Sequence, residues 1–416
     1  MRARTITVSA LAILVALATP GCRRTNDEAP AARAAPATPS APATTDGPPP
    51  VPAPAPESSS ANAPPADAGA AASTKLVTDE EVGPLLAKLS ESAGSFPSEN
   101  YVTNETSLLH VAKMLKDPKL HGRAYVGVGP EQSYTYLAML EPKVAYVVDI
   151  RRGNFLEHMF FRGCFEAGAT RMEFLSALLM RRPKGSAEAA PDGSSFAPLQ
   201  AAFRGVPANP ALRDEGVTRT KAVFDRLHVA HTSSDDKTLV RIHEAFSSNG
   251  LGIKYTMLDS GRAYPSLGDN FAATDAESGA TSFLGTEETY QRARRLVLEN
   301  RVLPVVGDFG GTHALRAVAE DMRGRNVQLG VFYSSNVEQY LFESKTYGNF
   351  VASVKAMPRD DESRLVRVWF DAGKPHPAQR AGHRTTQVSI AANAFVTRAE
   401  TRPFRYYWDV VNQPSQ

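Results

Sequence analysis

The sequence predicts an α/β fold: a mostly parallel sheet with helices on both faces. Three observations carry the prediction. Short apolar runs at 124–128, 144–148, 302–306 and 327–333 alternate with stretches of helical apolar spacing. The first run ends in Gly127-x-Gly129-Pro130, a glycine turn that opens the next helix. The other three end in acids or an Asn–Glu pair: Asp149, Asp308, and Asn336 with Glu338. In sheets of this kind the ligand sits outside the carboxyl ends of the strands, so these residues mark the candidate site. A large insertion, about 180–285, is expected between the second and third strands.

Taken in order, the chain begins with Arg2 and Arg4, an apolar stretch at 6–18 that is short for a membrane span, and then small residues. This is the pattern of an export signal. The end, Thr19-Pro20-Gly21-Cys22, resembles a bacterial lipobox, with Thr19 and Pro20 departing from the usual residues. The resemblance implies lipidation at Cys22 of an exported protein anchored in the cell envelope; the alternative is a simple periplasmic or secreted signal. Residues 23–75 are rich in Ala, Pro, Ser and Thr and poor in large apolar side chains. They predict a disordered, extended spacer before a folded region at 76–416. The only other cysteine, Cys164, stands among Met159, Phe160, Phe161 and Phe165 and reads as a buried structural thiol. A net charge of +2 without a basic stripe gives no support to nucleic-acid binding.

Thr78-Asp79-Glu80-Glu81 is a capping box, followed by Val82, Leu85, Leu86 and Leu89 at helical spacing. Asn104-Glu105 is expected to open another helix, with Glu105 as its cap or, alternatively, reaching into the site. Pro130 suits a first helical position, and a helix is expected at 131–140. Asp149, about twenty residues past the glycine turn, is placed to accept hydrogen bonds from a ribose. The dinucleotide pattern G-x-G-x-x-G fails at Gln132, which disfavours NAD and FAD. A long apolar helix is expected through Leu179, a loop over 182–209, helices near 218–227 and 237–247, a short strand at 255–258, and a helix capped by Thr286. Further strands are expected at 350–354, 365–370 and 387–390, closing the sheet antiparallel. His228 and His231 with Asp235 and Asp236 read as surface polarity rather than as metal ligands.

The four strand ends together resemble the class I S-adenosylmethionine (SAM)-dependent methyltransferases. YVGVGPEQ is similar to their glycine-rich first motif, VVDI to the segment whose acid binds the ribose, LPVVGDF to the segment beside the adenine, and VFYSSNVEQYL to the segment facing the methyl group. More narrowly, GVGPEQ, DIRR-x-N, VVGDF and SNVEQYL resemble an uncharacterised bacterial lipoprotein family with this Rossmann-like fold, over roughly 96–371. The resemblance implies a nucleoside-type ligand, SAM, at Gly127, Gly129, Glu131, Gln132, Asp149, Arg151, Asp308, Phe309 and Ser335. It implies Asn336 as a residue orienting a methyl acceptor and Glu338 as a base; the alternative is that Asn336 caps the helix beginning near Val337 and Glu338 sits in its first turn. Tyr125 stands where the superfamily carries an acid, and Glu131 where it carries a third glycine. No Asp/Asn-Pro-Pro-Tyr follows the fourth strand, which argues against amino-methylation of nucleic acid. A methyltransferase, a non-catalytic ligand-binding lipoprotein and a scaffold remain open. Export is the argument against the first, because SAM is made in the cytosol.

Overall fold

The computed structural model describes residues 75–183, 195–256 and 263–413. The export signal, Cys22 and nearly all of the spacer lie outside the described residues. Among those described, six strands form one sheet. In chain order the strands are β1 (Ala124–Gly127), β2 (Val144–Asp149), β3 (Thr274–Asp275), β4 (Ala280–Thr281), β5 (Val302–Val306), β6 (Leu329–Ser335), β7 (Arg364–Phe370) and β8 (Thr385–Ala391). The large sheet has the order β5-β2-β1-β6-β7-β8, and β3 and β4 form a separate antiparallel hairpin. The first five strands run parallel, and β8 returns antiparallel along β7, with Arg364 opposite Ala391 and Phe370 opposite Thr385. From β1 the chain builds first towards β5, then crosses back to β6. The order therefore reverses between β1 and β6, and the strand ends diverge there into a crevice.

Both faces of the sheet are covered. Every residue of β2 is buried, and successive side chains of a strand point to opposite faces. Helix Arg152–Ala167 packs on β2 and β5 together with Glu287–Leu298, Pro210–Arg226 and Ser233–Asn249. Helix Ala314–Gly324 packs on β2 from a second group containing Asp79–Leu89 and Tyr347–Ala356. The chain between β2 and β5 carries helices and the β3–β4 hairpin.

Several elements differ from expectation. Residues 350–354 lie in helix Tyr347–Ala356, not a strand: its buried Tyr347, Phe350 and Val354 repeat at helical spacing. The apolar helix through Leu179 is two helices, Arg152–Ala167 and Arg171–Leu179. Gly168 ends the first, where a Cβ would come within 2.5 Å of the Phe174 backbone nitrogen, and a Thr170–Glu173 capping box starts the second. The helix expected from Asn104 is reduced to Ala112–Leu115. The chain before it is diverted to β8, where the Thr106 and Ser107 N–H groups both donate to Thr385 Oγ1 at 2.9 Å. Helix Ala197–Phe203 interrupts the expected loop at 182–209. Tyr255 and Thr256 are not in a strand, and 257–258 lie outside the described residues. Helix Gln132–Leu140 starts after Pro130, with Glu131 at its N-cap.

Candidate functional site

A cleft of about 990 Å³ opens at the carboxyl ends of the parallel strands, where the strand order reverses. Its lining includes Gly129 after β1, Asp149 at the end of β2, Asp308 after β5, Ser335 at the end of β6 and Phe370 at the end of β7. Of the residues expected from sequence, Gly129, Gln132, Asp149, Arg151, Asp308, Phe309, Ser335 and Asn336 line this one cavity. Residues far apart in the chain meet there because parallel strands end on the same side of a sheet.

The glycine turn has a defined support. Gly129 has φ +93°, a conformation that costs a side chain little only when there is no Cβ. Its carbonyl oxygen, which can only accept, lies 3.0 Å from His158 Nε2, so Nε2 carries the proton. The Tyr134 hydroxyl then donates to Nδ1 at 2.9 Å. Burial pushes this imidazole down to about 4, keeping it neutral in that tautomer. Gln132 donates from Nε2 to the Val128 carbonyl, while its Oε1 is buried in the cleft wall with no protein partner. An unpartnered buried acceptor is costly, and a ligand N–H or O–H would satisfy it.

Asp149 is 6 % exposed and is held by Arg151. Oδ1 accepts from the Arg151 backbone N–H at 2.9 Å and from Nε at 3.1 Å, and Oδ2 accepts from Nη2 at 3.1 Å. A carboxylate offers about four acceptor positions, so the pair leaves capacity for a further donor from the cleft. Asp308 Oδ1 accepts from the Gly310 N–H at 2.8 Å and fixes the loop that carries Phe309. Phe309 packs edge-on against Phe332, with its ring facing that of Phe350.

Three expected site residues are elsewhere. Gly127 does not line the cavity; the Tyr125 hydroxyl lies 2.2 Å from where its Cβ would be, so its smallness serves packing within β1. Glu131 is 2 % exposed and turned inward, accepting from the Thr103 N–H and from Asn270 Nδ2 at 3.1 Å. Burial raises its carboxyl to about 8. Glu338 is expected at the mouth of the cleft but is fully buried. Its Oε1 accepts from Arg367 Nε at 2.5 Å and Ser334 Oγ at 2.9 Å, and its Oε2 from the Tyr347 hydroxyl at 3.0 Å. At the second position of its helix it faces the sheet, so it is a core ion-pair residue and reaches no substrate. Asn336 occupies the N-cap of Val337–Glu343 without a side-chain cap bond, leaving its amide in the cleft wall.

The acid at the cleft floor is Glu105. It is 2 % exposed and lines the cavity. Its Oε1 accepts from the Tyr333 hydroxyl and from Ser335 Oγ at 2.6 Å, and its Oε2 from Gln387 Nε2 at 3.2 Å. Burial outweighs these donors and raises its carboxyl. Ser335, at φ +49°, is held in a left-handed conformation by this bond at the strand end. Capping was the expected role of Glu105; its partners on β6 and β8 are over two hundred residues away and leave no local trace. Phe96, Tyr340, Trp369, Tyr407 and Trp408 also face the cleft, an aromatic lining that no motif in the sequence marks, and Trp369 and Trp408 are the only two tryptophans in the chain.

The family model for Domain of unknown function (DUF7790) matches residues 101–190 and 218–404, more than half of the chain. The chain belongs to this family. The matched segments contain every strand of the large sheet together with Glu105, Gly129, Asp149, Asp308, Ser335 and Trp369, so most of the cleft wall is the family's own. Trp408 lies just beyond the match. No curated protein matches the chain.

His231 Nδ1 sits 3.0 Å from Asp236 Oδ1, and Asp236 Oδ2 pairs with Lys221 Nζ at 2.9 Å. Among the described residues no group of three or more His, Cys, Asp or Glu side chains is arranged to hold a metal ion, and no helix is long and apolar enough to cross a membrane. Cys164 is buried, with its thiol pushed up to about 12 by burial.

Proposed function

We propose that the cleft binds a nucleoside-type ligand of the SAM class, on a Rossmann-like sheet of the methyltransferase type with an insertion between β2 and β5. The observation that carries this reading is the position of the cavity: it lies at the reversal of strand order, with a glycine turn on one side and Asp149 at the next strand end. Asp149 accepts from a ribose hydroxyl, Gln132 Oε1 accepts from a further ligand donor, and Phe309 forms an apolar wall beside the base. The volume is at the upper end of what small-molecule sites show, enough for a nucleoside and a second ligand. With Glu338 closed into the core, binding is the primary activity, and any methyl transfer depends on positioning the acceptor.

The test is calorimetry with SAM, S-adenosylhomocysteine and adenosine. A hydrogen bond to a charged acceptor is worth about 1.5–3 kcal/mol, so Asp149→Ala should weaken binding by tenfold or more, and Asp149→Glu by less. Wild type that binds none of the three overturns the reading.

We further propose export and lipid anchoring at Cys22, supported by Arg2, Arg4, the apolar run at 6–18 and the spacer that follows. Mature lipoproteins carry several acyl chains, which together hold a protein stably at a membrane. Metabolic labelling with a fatty acid should mark wild type and spare Cys22→Ala; equal labelling of both counts against the anchor.

A further inference from the structure

The cleft has two chemically different ends. The β1–β2–β5 end is polar. The β6–β7 end is walled by Phe96, Tyr340, Trp369, Tyr407 and Trp408. Both tryptophans of the chain are in this wall, brought from the end of β7 and from helix Tyr407–Val411.

Ring orientation restricts what this end can hold. Trp369 meets Trp408 at 69° with centroids 4.8 Å apart, and Phe96 meets Tyr340 at 84° and 5.2 Å. Rings that meet near right angles form corners. A flat aromatic ligand needs parallel plates, whereas a compact rounded group touches several π faces of a corner at once. Charge points the same way. The Arg151–Asp149 pair cancels and burial favours the neutral form of Glu105, which leaves Asp308 and Glu343 with no further cation among the residues lining the cavity. Aromatic faces and net negative charge together favour a cation. The protein supplies an example: Lys374 Nζ lies 3.5 Å from the centroid of the Trp408 ring.

We infer that the β6–β7 end of the cleft is a subsite for an alkylammonium group, and that the second ligand is an alkylated amine. The binding claim stands on the rings and acids alone; the role of that ligand as methyl acceptor rests on the nucleoside reading above. In that role a tertiary amine, bound as the ammonium ion, first releases its proton to solvent. Its nitrogen lone pair forms the new N–CH₃ bond as the S–CH₃ bond breaks, the bonding pair staying with sulfur. The sulfonium becomes a neutral thioether, and the positive charge passes to nitrogen, where the aromatic corner receives it. The acceptor's proton has already passed to water, so the transfer itself needs no protein base, in keeping with the burial of Glu338.

The test uses the full chain with tetramethylammonium chloride as the probe, sodium chloride as the ionic-strength control and neopentyl alcohol as the neutral group of similar shape. Because both tryptophans face the cleft, their fluorescence reports entry directly. Saturable quenching by tetramethylammonium, at least tenfold tighter than by the alcohol, is expected. By calorimetry, Trp408→Leu should weaken the probe tenfold or more and Trp408→Phe by less, and Trp369→Leu should also weaken it tenfold or more. Thermal unfolding confirms that each variant is folded; if Trp408→Leu is not, the Trp369→Leu arm decides, and if neither is, the comparison of cation with alcohol on wild type decides. Equal binding of alcohol and cation, or an unchanged affinity in a folded Trp408→Leu, overturns the subsite. S-adenosylhomocysteine titrated in parallel separates the two claims: loss of nucleoside binding with retained cation binding removes the acceptor role alone.

Discussion

Glu338 illustrates why residue type alone does not assign a role. Three positions after a strand end, an acid reads equally as a helix-start residue and as a catalytic base. What decides is the side of the helix it faces, and that is set by Arg367 on β7, adjacent in space and distant in sequence. The ion pair is fully buried, and removing one member leaves the other charge uncompensated. Glu338→Ala should therefore cost about 3–5 kcal/mol of stability, read by urea unfolding, while the double variant with Glu338→Leu and Arg367→Met should recover most of it. A Glu338→Ala protein of near wild-type stability would show that Arg367 finds another partner. Asp149, Asp308 and Asn336 were legible because a strand end is itself a location. Glu105 was legible only as the alternative to a helix cap, because its place depends on Tyr333, Ser335 and Gln387 from strands far along the chain.

At the scale of elements, the strands of the parallel sheet were the readable part. β1, β2, β5 and β6 are buried on both faces and appear as short apolar runs bounded by glycine and acids. The antiparallel close by β8 was also legible from the alternation at 387–390. Misreadings arose where an apolar run is too short to reveal its period. In 350–354 only the outlying Tyr347 exposes the helical repeat. Between Ala167 and Arg171 apolarity continues across a break whose signal is Gly168 and the Thr170–Glu173 box, not the hydrophobic pattern. The segment before β1 was misread for a different reason: Leu108, Leu109, Ala112 and Leu115 have helical spacing, yet bonds from Thr106 and Ser107 to β8 compete for its backbone and win.

For the whole molecule, buried titratable groups set a pH dependence. Burial raises the carboxyls of Glu105, Glu131 and Glu157, Glu131 to about 8, and lowers the imidazoles of His110, His158 and His243 to about 4. A carboxyl with a raised pKa contributes stability that is full below its unfolded value and is lost as pH rises through the folded one; a histidine with a lowered pKa contributes stability that is lost as pH falls. The two sets oppose each other from about pH 4.5 to about pH 6.5, and above that only the carboxyl loss continues. The thermal midpoint should therefore be nearly flat from about pH 4.5 to about pH 6.5 and fall towards pH 8, and Glu131→Gln should flatten that fall. A wild-type midpoint that keeps rising above neutrality would mean that the buried carboxyls are ionised in the fold.

The tie between Thr106 and Thr385 spans 279 residues, and the floor of the cleft hangs from it. Contacts of such separation form late, after the intervening loop has been closed. A chain still emerging from the ribosome has a first and second strand but no β8, so Glu105 has no Gln387 to meet. The cavity therefore comes into being only after the last tenth of the chain has been made. If the chain is threaded across a membrane before it folds, the cleft is born empty on the far side, and its occupant has to come from there.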